Sequence, residues 1–310
     1  MKANRYVYGE TLLELAKKDP RIVVVDSDIR SGLGYVDFIQ EFPNRYFDCG
    51  IAEQNMCSIA VGLASSGLVA FAGTFAVFTS MRALDQVRNG AALYDLNVKF
   101  IGSHAGLETG QDGATHQSVE DIAIMRSIPN MKLLAPCCPN QTKALVRLMV
   151  DTPGTFYIRF GREKSEVRYS EDTDFLLGGS KVLREGNDVA ILTFGRMVDI
   201  ALEAAEELAK NEGVQCRILD MYSLKPIDVD AIVRAAKETK GIVTVEDHSI
   251  IGGLGGAVCE VVCTMCPTRV RRVGVNDCFG RSGTMSDLYA LYGLTSDHLQ
   301  EEVRTMLRNE

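Results

Sequence analysis

The stretch Phe47-Asp-Cys-Gly-Ile-Ala-Glu-Gln-Asn-Met56 decides how the rest of the chain is read. Arg45–Cys49 predicts a short strand, Gly50 breaks it, and the run from Ala52 to Ser65 predicts a helix. Met56, Cys57, Ile59, Ala60, Val61, Leu63 and Ala64 make that helix apolar nearly all round, which predicts burial. Glu53 then falls in the first turn, at the edge of an apolar interior. One reading is a helix-start acid stabilised by the dipole by about 0.3–1 kcal/mol. The other is a carboxyl group in a dry site, where its hold on a proton tightens and it can share that proton with a bound heterocycle. Taken alone, the stretch leaves both open.

Outward from this point the chain alternates helix and strand. Strands are expected at Arg21–Asp26, Leu68–Gly73, Val98–Ser103, Met131–Leu134 and Thr155–Phe160, with helices at Tyr6–Lys18, Ser80–Leu93, Val119–Ile128 and Asn140–Val150. Such alternation predicts an α/β fold with a mostly parallel, doubly wound sheet covered on both faces. Function in such sheets gathers in the loops beyond the strands' carboxyl ends. The polar stretch from Glu163 to Asp188 reads as a connector. Alternation resumes with strands at Val189–Thr193, Gln215–Asp220, Ile242–Glu246 and Arg269–Gly274 and helices at Asp199–Lys210, Asp228–Thr239, Gly256–Met265 and Thr295–Arg308. The expected division is a first domain at 1–165, a linker at 166–187 and a smaller α/β domain at 188–310.

Composition excludes several classes. The chain has 310 residues, 24% charged and 46% hydrophobic, as in ordinary globular proteins. A formal net charge of −8 argues against nucleic acid as a main partner. No run of about 18 apolar residues predicts a membrane span, and the N-terminus lacks the apolar core of a secretory signal. Nine cysteines, an odd number scattered through apolar runs, read as reduced thiols in a reducing cytoplasm. Cys259, Cys263 and Cys266 have the spacing of an iron–sulfur ligand set, but they also repeat on one helix face, which predicts a core-facing stripe. Gly253 and Gly255 fall in a partial nucleotide fingerprint whose last position is Val258, so they are expected to serve a turn and close packing. Phosphate-loop, zinc-ligand and serine-hydrolase motifs are absent from the sequence, and no metal site is expected from this chain alone.

Two further stretches carry chemistry. Ser103-His-Ala-Gly-Leu-Glu-Thr-Gly-Gln-Asp-Gly-Ala-Thr-His-Gln117 holds His104 and His116, half of the four histidines, with Asp112 between them. Glycines 106, 110 and 113 let such a loop bend and bring N–H groups toward a ligand. Two imidazoles and a carboxylate can relay protons and bind hydroxyls; a purely structural loop is the alternative. Gly73-Thr-Phe-Ala-Val-Phe78 puts Phe75 and Phe78 three apart, either as core or as the wall of a cleft clasping a flat ring.

Together these stretches resemble the transketolase family of thiamin-diphosphate enzymes. Gly50-Ile-Ala-Glu-Gln-Asn-Met56 is similar to its glutamate motif, Gly73–Phe78 to its aromatic segment, and Gly110-Gln-Asp-Gly-Ala-Thr-His-Gln117 to its Gly-x-Asp-Gly-(Pro/Ala)-(Thr/Ser)-His motif. Val243-Thr-Val-Glu-Asp-His-Ser-Ile-Ile-Gly-Gly-Leu-Gly255 and Phe279-Gly-Arg-Ser-Gly283 resemble its C-terminal domain. The resemblance implies a pyrimidine-binding domain followed by a C-terminal domain. It makes Glu53 the acid that hydrogen-bonds the cofactor's aminopyrimidine and promotes its imino tautomer, the cofactor supplying the covalent chemistry. Phe75 and Phe78 become the pyrimidine wall, with Met81 where the family has a third aromatic, and Asp28 an acid near the cofactor. Asp112 and His116 are implied to recognise substrate hydroxyls, and His104, Arg5 and Arg162 to hold a sugar phosphate. Glu53, His104 and His116 are the implied catalytic residues.

The family's diphosphate and its Mg²⁺ or Ca²⁺ are held by a Gly-Asp-Gly segment and a later Asn, a hard-cation site of oxygen ligands. Gly-Asp-Gly does not occur in these 310 residues. The resemblance therefore implies one subunit of a split, two-chain transketolase, whose partner supplies the diphosphate and metal domain in a heterotetramer of two copies each. A pentose-phosphate route is the default role. The rivals are the beta chain of a 2-oxo-acid dehydrogenase, which generally lacks the Asp-Gly-Ala-Thr-His segment, a deoxyxylulose-phosphate-synthase-like enzyme, and a catalytically silent scaffold subunit.

Overall fold

The computed structural model describes residues 1–308. Two sheets dominate. Among the described residues the larger has seven strands, in the order Ser223–Lys225, Lys132–Leu134, Phe156–Arg159, Val98–Ser103, Val69–Phe75, Ile22–Asp26 and Tyr46–Asp48. All neighbours are parallel except Ser223–Lys225, which pairs antiparallel with Lys132–Leu134. The smaller sheet orders Val270–Val275, Ile242–Ser249, Val189–Thr193, Cys216–Asp220 and Lys181–Arg184, the last again antiparallel. The β-branched runs Ile22–Asp26 and Val189–Thr193 are wholly buried, as strands covered on both faces must be.

Register sets the site. Asp26 lies beside both Asp48 and Gly73, and Phe75 lies beside Ser103. The loops that follow Asp48, Phe75 and Ser103 therefore leave the same carboxyl edge as neighbours, although they lie far apart in sequence. This is the topological position at which open α/β sheets bind ligands.

Several local expectations are corrected. The helix Glu53–Ser65 buries only Glu53, Met56, Cys57, Ala60 and Ala64. Gln54, Asn55, Ser58, Gly62 and Ser65 are exposed, because the helix meets the sheet along one stripe only. The expected helix at Ser80–Leu93 is two wide π-helical stretches, Phe78–Arg82 and Gln86–Ala91, closed by a 3-10 turn at Ala92–Tyr94. Its first wide turn is held by the Ala83 N–H donating to the Phe78 carbonyl at 3.2 Å. Such bulged turns cluster at functional sites. Cys259, Cys263 and Cys266 do not form a core stripe: Cys263 is exposed and the other two are half-buried. Helix Leu254–Met265 buries Leu254, Gly255, Ala257, Val258 and Val262 instead, the adjoining face. Gly253 and Gly255 do serve close packing, since a Cβ would lie 2.0 Å from Glu246 Oε2 at the first and 2.8 Å from Arg272 and Thr244 at the second.

The two units are interlocked. Residues 181–184, inside the stretch expected to be a connector, already belong to the second sheet, and 223–225 cross back to extend the first. One apolar cluster runs from Met56 and Phe100 to Leu192, Ile232 and Leu254. Among the described residues, no helix is long and apolar enough to cross a membrane.

Candidate active site

Glu53 opens its helix and is 2% exposed. Both of its carboxylate oxygens accept from one nitrogen of Arg82, at 2.8 and 2.9 Å. Arg82 is contributed by the first wide turn, and its side chain is 49% exposed, so the pair runs from the interior to the surface. The guanidinium also lies over the Phe78 ring, 4.2 Å from its centroid. Sequence reading missed Arg82. Its only local signal was a cation one turn beyond Phe78, which on a regular helix would read as a solvated charge.

Phe75 and Phe78 are half-buried and nearly parallel, 8° apart with centroids separated by 6.0 Å. Neither is fully buried in the core. His104 stacks on Phe75 at 4.1 Å, and His116 meets both rings edge-on at 6.1 and 5.3 Å. Five of the residues singled out in the sequence, Glu53, Phe75, Phe78, His104 and His116, are thus linked through Arg82 and ring contacts. Met81, half-buried, belongs to the same turn as Phe78.

His104 occupies a left-handed backbone position (φ 54°) and is 5% exposed. Burial, and then the charges of Arg5 and Arg162, push its pKa down to about 3, so the ring is neutral at neutral pH. Its Nδ1 lies 3.0 Å from the Ser103 hydroxyl, which itself donates to the Thr74 carbonyl at 3.3 Å. With the hydroxyl proton so used, Nδ1–H would be the donor in that pair and Nε2 would be left to accept. Arg5 donates to the Gly32 carbonyl at 3.2 Å, and its buried Nε has no protein partner. Arg162 and Asp112 are exposed. Asp28, also exposed and left-handed (φ 58°), pairs with Arg30 at 3.4 Å. No contact joins it to Glu53.

The glycine-rich loop is fitted to the second unit. The Leu107 N–H donates to both oxygens of buried Asp247, at 3.0 and 3.2 Å, and Tyr289 donates to the same carboxylate at 2.9 Å. Gly106 (φ 68°) sits so close that a Cβ would lie 2.2 Å from Asp247 Oδ2. Gln117 donates to the carbonyls of Gly110 and Arg281, while Gly280 leaves no room for a Cβ, which would fall 1.7 Å from the Gln117 oxygen. The Gly106–Gln117 loop and the Phe279–Gly283 segment, two separate motifs in sequence, are one packed unit.

Glu108, likewise unanticipated, is buried beneath the turn carrying Arg162. It accepts the Glu163 N–H at 2.9 Å, and Gly161 packs so closely that a Cβ would lie 2.2 Å from its carboxyl group. Burial pushes its pKa up to about 7. The Glu163 N–H and Arg196 oppose the shift, and Asp247 and Glu163 add to it. Because the folded state holds this proton more tightly than the unfolded chain, the group's contribution to stability is full below about pH 4.5 and is lost as pH rises toward 7. Glu108→Gln is therefore expected to gain stability relative to the native chain across that interval, by roughly 3 kcal/mol at full effect. Paired denaturant titrations at pH 4.5 and pH 8 measure it; a difference independent of pH would contradict the buried, proton-holding carboxyl.

Residues 1–167 match the family model for the transketolase pyrimidine-binding domain, and residues 178–299 match that for the transketolase C-terminal domain. The chain is 43% identical over 312 residues to a putative transketolase C-terminal section of Methanocaldococcus jannaschii, covering 100% of this chain and 98% of that protein. It is 42% identical over 295 residues to a 6-deoxy-6-sulfo-D-fructose transketolase subunit of Clostridium sp. (strain MSTE9), covering 95% and 91% respectively. A solved split-gene transketolase, described as an inactive beta4 tetramer, superposes with a TM-score of 0.93 at 44% identity, over 99% of each chain. The motifs, the two interlocked sheets and these likenesses agree: the chain belongs to the transketolase family of transferases and comprises its pyrimidine-binding and C-terminal domains.

Proposed function

We propose that this chain is one subunit of a split, thiamin-diphosphate-dependent transketolase that moves a two-carbon ketol unit from a ketose phosphate to an aldose phosphate. The observation that carries the reading is a buried carboxylate joined through Arg82 to one of two parallel phenyl rings, with one imidazole stacked on Phe75 and a second meeting both rings edge-on. This donor set suits a flat, basic nitrogen heterocycle: the acid would hold the ring nitrogen and the aromatics would line its faces. When bound, thiamin diphosphate supplies the nucleophilic carbon and the electron sink for ketol transfer.

The residues of this chain do the rest. Glu53 would hold the pyrimidine nitrogen and supply or take up its proton, and its burial would keep water from the carboxyl group. Phe75, Phe78 and Met81 orient the ring. His104, neutral and with Nε2 free to accept, takes a substrate hydroxyl rather than an anionic charge. Arg5 and Arg162, whose positive charges are felt at His104, take the anionic end of the sugar. His116 and Asp112 bind the remaining hydroxyls. Asp28 is taken as an acid near the cofactor. A phosphate and a sulfonate present the same anionic oxygens to this arginine pair, and the similar Clostridium subunit is described as acting on a sulfosugar.

The diphosphate and its Mg²⁺ or Ca²⁺ belong, in this reading, to a partner chain with Gly-Asp-Gly and a later Asn, in an α2β2 assembly in the cytoplasm. Among the described residues, no three His, Cys, Asp or Glu side chains cluster as a metal site. The similar beta4 tetramer is described as inactive, which fits a need for a second chain. The test mixes the purified chain with the cognate partner, thiamin diphosphate, Mg²⁺, a ketose phosphate and an aldose phosphate. Turnover is expected from the mixture and from neither chain alone. Robust activity of the isolated chain, or decarboxylation of a 2-oxo acid instead, would overturn the reading.

A further inference from the structure

We propose that the Arg82 guanidinium is an internal place-holder for the cofactor's aminopyrimidine, making the contacts that this ring makes in the loaded site, so that loading displaces it. The inference rests on the proposed thiamin-diphosphate reading and deepens it.

Three observations carry it. The guanidinium donates to both Glu53 oxygens, at 2.8 and 2.9 Å, and lies 4.2 Å over the Phe78 ring. It is flat, cationic and edged with N–H groups, as a protonated aminopyrimidine is, and it satisfies the acid and an aromatic face at once. The two partners also differ in freedom. Glu53 is 2% exposed and fixed in the first turn of its helix, whereas the Arg82 side chain is 49% exposed on a long, flexible stem. Arg82 can therefore leave toward solvent while Glu53 stays.

The pairing has a physical purpose in a chain made without its partner. A carboxylate held almost wholly out of water and left unpaired is strongly destabilising. Arg82 removes that penalty until the ring arrives. The cost falls on affinity, since a site open only part of the time binds more weakly by the open fraction. The arrangement thus links stability of the free subunit to cofactor loading through one side chain.

Two measurements test it. The first uses the chain alone, through the melting temperatures of Arg82→Gln, Glu53→Gln and the double variant. Arg82→Gln is expected to melt about 5 °C lower, and the double variant to recover most of the loss. Purely additive effects would refute the pair. The second is a calorimetric titration of thiamin diphosphate, with Mg²⁺, into the reconstituted complex. Arg82→Gln is expected to bind it about tenfold more tightly, and Arg82→Lys to lie between that variant and the native protein because an ammonium pairs without stacking. Unchanged or weaker binding by Arg82→Gln would show that Arg82 holds Glu53 for the cofactor rather than in its place. Binding by neither protein would overturn the place-holder together with the thiamin reading, whereas unchanged affinity overturns the place-holder alone.

Discussion

Replacing Glu53 with Gln is expected to cut ketol transfer by the reconstituted complex by about 10²–10⁴-fold at saturating thiamin diphosphate, the range usual for loss of a positioned acid–base group. The amide keeps the size of the carboxyl group and one oxygen for Arg82, so the fold and the helix start should survive. It cannot exchange a proton with the pyrimidine nitrogen, and on the proposed mechanism that exchange is what Glu53 provides. Steady-state rates, with far-ultraviolet circular dichroism and assembly measured alongside, make the comparison. A loss below about tenfold with normal assembly would favour a scaffold subunit over a catalytic one.

The second large effect concerns the seam between the two units. Arg159 is 4% exposed. Its Nε lies 3.2 Å from Asp121 Oδ2, and its outer nitrogen donates to the Asp247 carbonyl at 3.2 Å. Tyr157 donates to the same Asp121 oxygen at 2.8 Å. Asp121 and Asp247 are buried, and Asp247 in turn anchors Leu107 of the histidine loop. Arg159→Met leaves those two acids without their shared cation and is expected to cost about 3–5 kcal/mol. For a chain of this size that lowers the melting temperature by roughly 10 °C. Adding Asp121→Asn should return part of the loss, because the orphaned charge is then gone. Denaturant unfolding of the native chain, the two single variants and the double variant checks it; a cost below about 1 kcal/mol for Arg159→Met would mean the seam is held by its apolar contacts alone.

The same seam shows why parts of the site were legible in sequence and others were not. Phe75 and Phe78 are three apart, so a local pattern could bring the two rings together, and they do pack in parallel. His104 and His116 share one loop, and both reach the phenyl rings. Arg82 is 29 residues from Glu53, and its approach depends on a wide turn that no hydrophobic period announces. Glu108 reads as one more polar residue in a flexible loop until Gly161 and Glu163 fold over it. The cysteine stripe misled because a helix face repeats every seven residues whichever neighbour it meets, and the neighbour lay on the adjoining face.

The sequence by itself determined the alternation of strand and helix, the two α/β units and the stretches that would carry chemistry. Each depends on hydrophobic period, glycine placement or residue type within a dozen positions. Only the tertiary structure decided that Ser223–Lys225 crosses to complete the first sheet, that Asp247 anchors a loop 140 residues away, and that Glu53 is paired with a guanidinium. Those facts depend on register and close packing between distant segments. A buried carboxylate takes whichever cation the fold brings within 3 Å, and nothing local to either residue encodes that meeting.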